Sequence, residues 1–78
     1  MEVIVDILTE TLEGANKTRI MYRANLNFLR FSCYLSEMVE RGLLVEEDGG
    51  DGRVVFRATE RGRILLETLR KAQGFMAV

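Results

Sequence analysis

The sequence predicts an α+β fold, mainly helical, in which three helices are followed by a β-hairpin and a closing helix. Three observations carry that expectation. Apolar residues recur at helical spacing in four separate segments. Two short β-prone runs flank a Gly/Asp cluster between the third and fourth of them. The whole order fits into 78 residues without a repeat or a linker, which is one domain, residues 1–78. A chain of this size buries only about 60–65% of its unfolded surface, so its core is thin and a partner subunit would add to it.

The first helix is expected at about residues 2–13. Val3, Ile4, Ile7, Leu8 and Leu12 fall at helical spacing, and Glu2, Asp6 and Glu10 follow one another at i, i+4 on the other side. Gly14 stands where a glycine ends a helix. Asn16 can cap a second helix at about 17–24, carrying Thr18, Ile20, Met21 and Ala24. Asn25-Leu26-Asn27 interrupts it, and Asn27 offers the next cap. The third helix, about 28–41, puts Phe28, Phe31, Leu35, Met38 and Val39 on one face. Arg41 then supplies a cation in the last turn and Gly42 a left-handed stop.

The hairpin is expected at about 43–58. Its runs are Leu43-Leu44-Val45-Glu46-Glu47 and Arg53-Val54-Val55-Phe56-Arg57-Ala58, around the flexible loop Asp48-Gly49-Gly50-Asp51-Gly52. Thr59 can cap the last helix, about 60–73, and Gly62 near its start permits close packing. Leu65, Leu66 and Leu69 form its core-facing stripe. Ile64, Thr68, Ala72 and Phe75 form a second stripe, which is more apolar surface than one monomeric core needs. A connection of about three residues between the second and third helices suits a helix-turn-helix. The hairpin behind them would be its wing, so the expected fold is a winged helix-turn-helix.

Composition removes several functions. With 47% apolar residues and a net charge of −1 the chain can bury a core, which argues against disorder. Cys33 is the single cysteine and there is no histidine. A disulfide framework, a zinc site of the usual kind and the commonest general base are therefore missing. The carboxylates have no spacing that selects a catalytic pair, and Gly49-Gly50-Asp51-Gly52 lacks the Lys-Ser/Thr ending of a phosphate loop. No enzyme activity, cofactor, metal or small-molecule substrate is expected. No apolar run approaches the roughly 20 residues that span a bilayer, and the N-terminus lacks the positive region of a signal peptide. A lone thiol fits a reducing, cytoplasmic setting.

The net charge conceals segregation. Residues 15–36 carry Lys17, Arg19, Arg23 and Arg30 and no acidic residue, which makes them +4. Acidic residues gather in 1–14 and 37–52. Polyanion affinity follows local clustering rather than net charge. Alternating blocks that simply pair with one another are the plainer reading of the same pattern.

The stretch Leu12-Glu13-Gly14-Ala15-Asn16-Lys17-Thr18-Arg19-Ile20-Met21-Tyr22-Arg23-Ala24-Asn25-Leu26 resembles the start of small archaeal winged helix-turn-helix DNA-binding domains. Tyr34-Leu35, Glu40-Arg41-Gly42-Leu43-Leu44 and Thr59-Glu60-Arg61-Gly62-Arg63 fit the same pattern, although the last two pieces recur across many winged helices. The resemblance covers nearly the whole chain. It implies binding of double-stranded DNA, as a homodimer, in transcription regulation or a chromatin role. Some members of that family dimerise through an antiparallel coiled coil, and the last helix here is shorter than theirs.

The residues suit that role physically. Asn16, Lys17 and Thr18 offer positive charge and N–H donors for phosphate at the start of the second helix, with Arg19 close by and Tyr22 and Arg23 further along. The third helix would enter the major groove. Arg30, Ser32 and Ser36 would supply its contacts, with Asn27 near its start. Leu29 and Cys33 are apolar neighbours on that face, where the family has polar and basic residues. They either touch thymine methyl groups or turn the helix toward a protein partner.

Arg53 and Arg57 are expected on one face of the second wing strand, either at a DNA backbone or minor groove or paired across to Glu46 or Glu47. The acidic wing tip, with Glu46, Glu47, Asp48 and Asp51, would be repelled by phosphate, so the base of the wing should make the approach. Ile64, Thr68, Ala72 and Phe75 are the expected dimer contacts. A winged helix that binds protein without touching DNA is the alternative function, favoured by the acidic pI of about 5.4. For Cys33, a small residue on a half-exposed face is a simpler reading than a redox switch.

Overall fold

The computed structural model describes residues 2–76. In chain order the elements are α1 (Glu2–Glu10), α2 (Lys17–Ala24), α3 (Phe28–Glu40), β1 (Leu44–Asp48), β2 (Val54–Ala58) and α4 (Glu60–Met76). The chain is mainly helical with one antiparallel hairpin. Its termini, Met1, Ala77 and Val78, lie outside the described residues.

α1 stops three residues before the expected position. Its end is claimed by tertiary bonds. The buried Thr11 hydroxyl donates back to the carbonyls of Ile7 and Leu8, at 2.8 and 3.2 Å. The Thr11 carbonyl accepts the Ala58 N–H of β2 at 2.9 Å. The next bonds, Leu12 N–H to Thr9 and Gly14 N–H to Thr11, are tighter i→i−3 bonds. Gly14 then turns the chain at φ +89°, where a Cβ would meet the side chains of Val55 and Arg57.

The caps follow the local chemistry. Asn16 and Asn27 both have extended backbones, and each side-chain oxygen accepts an N–H three residues on, from Arg19 and Arg30, at 2.9 Å. Asn25 ends α2 in the left-handed region. At the end of α3, Leu43 N–H bonds to Met38 C=O and Gly42 N–H to Val39 C=O, with Gly42 at φ +74°. This is the Schellman arrangement.

β1 and β2 pair in register from Leu44 opposite Ala58 to Asp48 opposite Val54. Ala15 adds a bridge to Phe56, with two 2.9 Å bonds, so the hairpin is stitched to the loop before α2. Arg53 lies in the turn, just before β2 rather than on it. Its N–H and C=O close the turn with Gly50 and Gly49.

The core gathers Ile7 and Leu8 of α1, Ile20 of α2, Phe31, Leu35 and Met38 of α3, Leu44 and Phe56 of the hairpin, and Leu66 of α4. Phe28 departs from the expected stripe. It is 64% exposed, whereas Phe31 is 1% exposed, because α3 meets the core only after its first turn. Thr59 caps α4 by accepting the Gly62 N–H, and its own hydroxyl donates to the Gly42 carbonyl. Gly62 sits directly against the Leu43 carbonyl.

α4 continues to Met76, beyond the expected end near residue 73, because Gly74 is carried within the helix. Leu66 and Leu69 are buried beneath it. Ile64, Thr68, Ala72 and Phe75 are exposed, Phe75 to 83%. The second stripe is therefore left uncovered in the single chain.

Candidate nucleic-acid interface

The first turn of α2 and the wing meet. Asn16, Lys17 and Thr18 line an open cleft whose other wall is Glu46, Arg53 and Val54. Asn16, Lys17, Thr18 and Arg53 are all exposed. The first turn of a helix presents N–H groups that have no partner within the helix, together with the positive end of its dipole. Two cationic side chains from distant parts of the chain thus flank one helix start. A second groove continues from Lys17 across α3, lined by Leu35, Ser36, Val39, Glu40, Glu46 and Phe56.

α3 turns one face outward beside that groove. Leu29, Arg30, Cys33, Ser36, Glu37 and Glu40 are exposed, and Ser32 is half-buried. Its N-terminal half carries the cation Arg30 and the capping Asn27. Its C-terminal half carries two carboxylates, of which Glu37 is held by Arg41 at 2.8 Å. Tyr22, one turn after Thr18 on α2, is 78% exposed.

Three expected site residues, Arg19, Arg23 and Arg57, lie elsewhere. Arg19 is two positions from Lys17, which carries it to the far side of α2. There it meets the acidic side of α1 and bonds Glu10 at 2.8 Å. Arg23, one turn further on, approaches Asp6 and Glu10 at 3.8 and 3.7 Å. Arg57 is paired with Glu47 at 2.8 Å, diagonally across the hairpin. Its guanidinium lies over Gly14, on the sheet face opposite Phe56. Arg53 and Arg57 therefore do not act as a pair: the turn residue joins the cleft and the strand residue does not.

Glu46, expected at the acidic wing tip, stands instead in mid-strand opposite Phe56, and lines both grooves beside Lys17. Strand alternation held the signal, since Glu46, though exposed, falls on the same strand face as the buried Leu44. Among the described residues no group of acidic or cysteine side chains is placed to hold a metal ion.

Comparison with known proteins agrees with this geometry. The chain is 38% identical over 69 residues to the uncharacterized protein MJ0287 of Methanocaldococcus jannaschii, covering 87% of this chain and 66% of that relative. Its fold is similar to that of Sso10a-2, a DNA-binding protein from Sulfolobus solfataricus. The TM-score is 0.75 and the identity 29%, over 97% of this chain and 82% of the other. The winged helix-turn-helix sequence pattern matches residues 1–76. With three helices, a hairpin wing behind the third and a closing helix all in place, the chain belongs to the winged helix-turn-helix family.

Proposed function

We propose that this chain binds double-stranded DNA through its helix-turn-helix and the turn end of its wing, as a homodimer with a transcriptional or chromatin role. One observation carries the reading: the start of α2, with Asn16, Lys17 and Thr18, shares a cleft with Arg53 of the wing. A phosphate in that cleft would receive helix N–H groups and two cationic side chains. The major groove, about 12 Å wide, admits a helix such as α3. Arg30, Ser32 and Ser36 would then reach base edges or flanking phosphates, with Asn27 at the entry. Similarity to a DNA-binding protein of the same fold supports the assignment.

The homodimer reading rests on the uncovered stripe Ile64, Thr68, Ala72 and Phe75 of α4. A second copy laid along it would cover apolar surface that one chain leaves in water. Two copies would also present two copies of α3, doubling the phosphate contacts. A cytoplasmic site of action goes with a DNA partner. Among the described residues no helix is long and apolar enough to cross a membrane.

A protein-binding function is the competing reading, favoured by Glu37, Glu40 and the exposed Leu29 on α3. Lys17→Glu separates the two. Binding to a mixed-sequence duplex at low salt, followed by fluorescence anisotropy, should be lost in that variant. A wild-type protein that leaves the duplex unbound at micromolar concentration would exclude DNA as the partner.

A further inference from the structure

We infer that Leu29 and Cys33 form an apolar pair that reads the 5-methyl group of thymine in the major groove. The inference rests on the DNA-binding reading above and names what the outward face of α3 would select. Leu29 is 77% exposed and Cys33 is exposed. Their i, i+4 spacing stacks them one above the other on the helix face. Both belong to the first half of α3, and recognition helices touch base edges with their N-terminal residues. Free cysteine behaves as a small hydrophobe with a weak S–H donor. The pair is thus apolar at its centre, with Arg30 beside it and Asn27 at the helix entry.

Only thymine presents an apolar group in the major groove; the other bases present donors and acceptors. The size of the patch also favours this occupant. A stable protein interface needs roughly 800 Å² from each partner, with charge depleted at its centre. The rest of this face carries Arg30, Ser36, Glu37 and Glu40. Two neighbouring apolar side chains are the right scale for one or two methyl groups.

The test compares alternating dA–dT and dA–dU duplexes of equal length, which differ by the thymine methyl alone. Wild-type protein should bind the dU duplex more weakly, roughly fourfold for each buried methyl group that is absent, as expected from about 0.8 kcal/mol per buried CH₂. In Leu29→Gln, a change at an exposed position, the dT/dU ratio should fall toward one. Comparing that ratio between wild type and variant cancels any intrinsic difference between the duplexes. Equal binding of both duplexes by the wild type, or an undiminished ratio in Leu29→Gln, overturns the inference while leaving DNA binding in place. Failure of the wild type to bind either duplex overturns the DNA-binding reading itself, and the inference with it.

Discussion

The Arg19 guanidinium donates to the Glu10 carboxylate at 2.8 Å, across the contact between α2 and α1. Lys17, only two residues earlier, stands on the other side of α2 beside the wing. Two cations only two positions apart therefore have different surroundings. Lys17→Ala should weaken DNA binding about equally for all sequences and, lost from both subunits of the dimer, reduce the salt slope by about two. Arg19→Ala should leave both nearly unchanged. Its side chain is largely exposed, so removing the ion pair should cost at most about 1 kcal/mol of stability. Anisotropy titrations of the two variants on one duplex check this.

If DNA binds at the proposed cleft, Glu46 should set a ceiling on affinity. Its carboxylate shares the cleft with Lys17 and Arg53, where it opposes an incoming phosphate. Removing that charge in Glu46→Gln should raise affinity roughly fivefold, taking about 1 kcal/mol for a unit charge pair ~4 Å apart in water. Arg53→Ala should act in the opposite direction. Arg57→Ala, which breaks only the exposed pair with Glu47, should leave DNA affinity unchanged. Equal losses of affinity in the two arginine variants would contradict the division between turn and strand.

The two glycines of α4 should respond with opposite sign to alanine. Glycine inside a helix ordinarily costs about 1 kcal/mol relative to alanine. Among the described residues nothing lies within 4 Å of a Cβ at Gly74, so Gly74→Ala should gain up to about that amount. At Gly62 a Cβ would collide with the Leu43 carbonyl and come within 3.1 Å of Leu8 Cδ2. Gly62→Ala should therefore lose about 1–3 kcal/mol, as overpacking does. Urea unfolding with an unchanged m-value reads both effects.

The uncovered stripe on α4 makes a prediction about mass. Wild-type protein should sediment as a dimer, and Ile64→Asp combined with Phe75→Asp as a monomer. Both positions are exposed in the single chain, so the monomer should stay folded. A wild-type monomer at high concentration would remove α4 as the interface.

What was legible in the sequence was chiefly local. Asn16, Asn27, Gly42 and Thr59 mark helix ends because their chemistry acts within a few residues. The alternation and periodicity of the apolar residues give the order of elements for the same reason. What was hidden depends on contacts between distant segments. α1 ends early because the Thr11 carbonyl turns to Ala58, far along the chain. Phe28 has the spacing of a core residue but lies beyond the end of the core.

The candidate site divides in the same way. Lys17 and Thr18 could be named from a helix start alone. The capture of Arg19 by Glu10 and the approach of Arg53 to Asn16 require the packed fold. The acidic run at 46–48 reads as a single tip along the sequence, yet β1 sends alternate members to opposite faces, and the exposed Glu46 shares the face of Leu44, beside Lys17.

The cleft between α2 and the wing, together with α3, is the surface through which the proposed binding of the DNA backbone would act. The most direct test is the salt dependence of binding to a mixed-sequence duplex. Each phosphate neutralised contributes about −0.9 to the slope of log K against log salt. Lys17, Arg30 and Arg53 in each of two subunits predict a slope of about −5, falling to about −2 when Lys17 and Arg53 are both replaced by alanine and only the two Arg30 contacts remain. A slope near zero in the wild-type protein, or no binding at low salt, would contradict DNA binding at this surface.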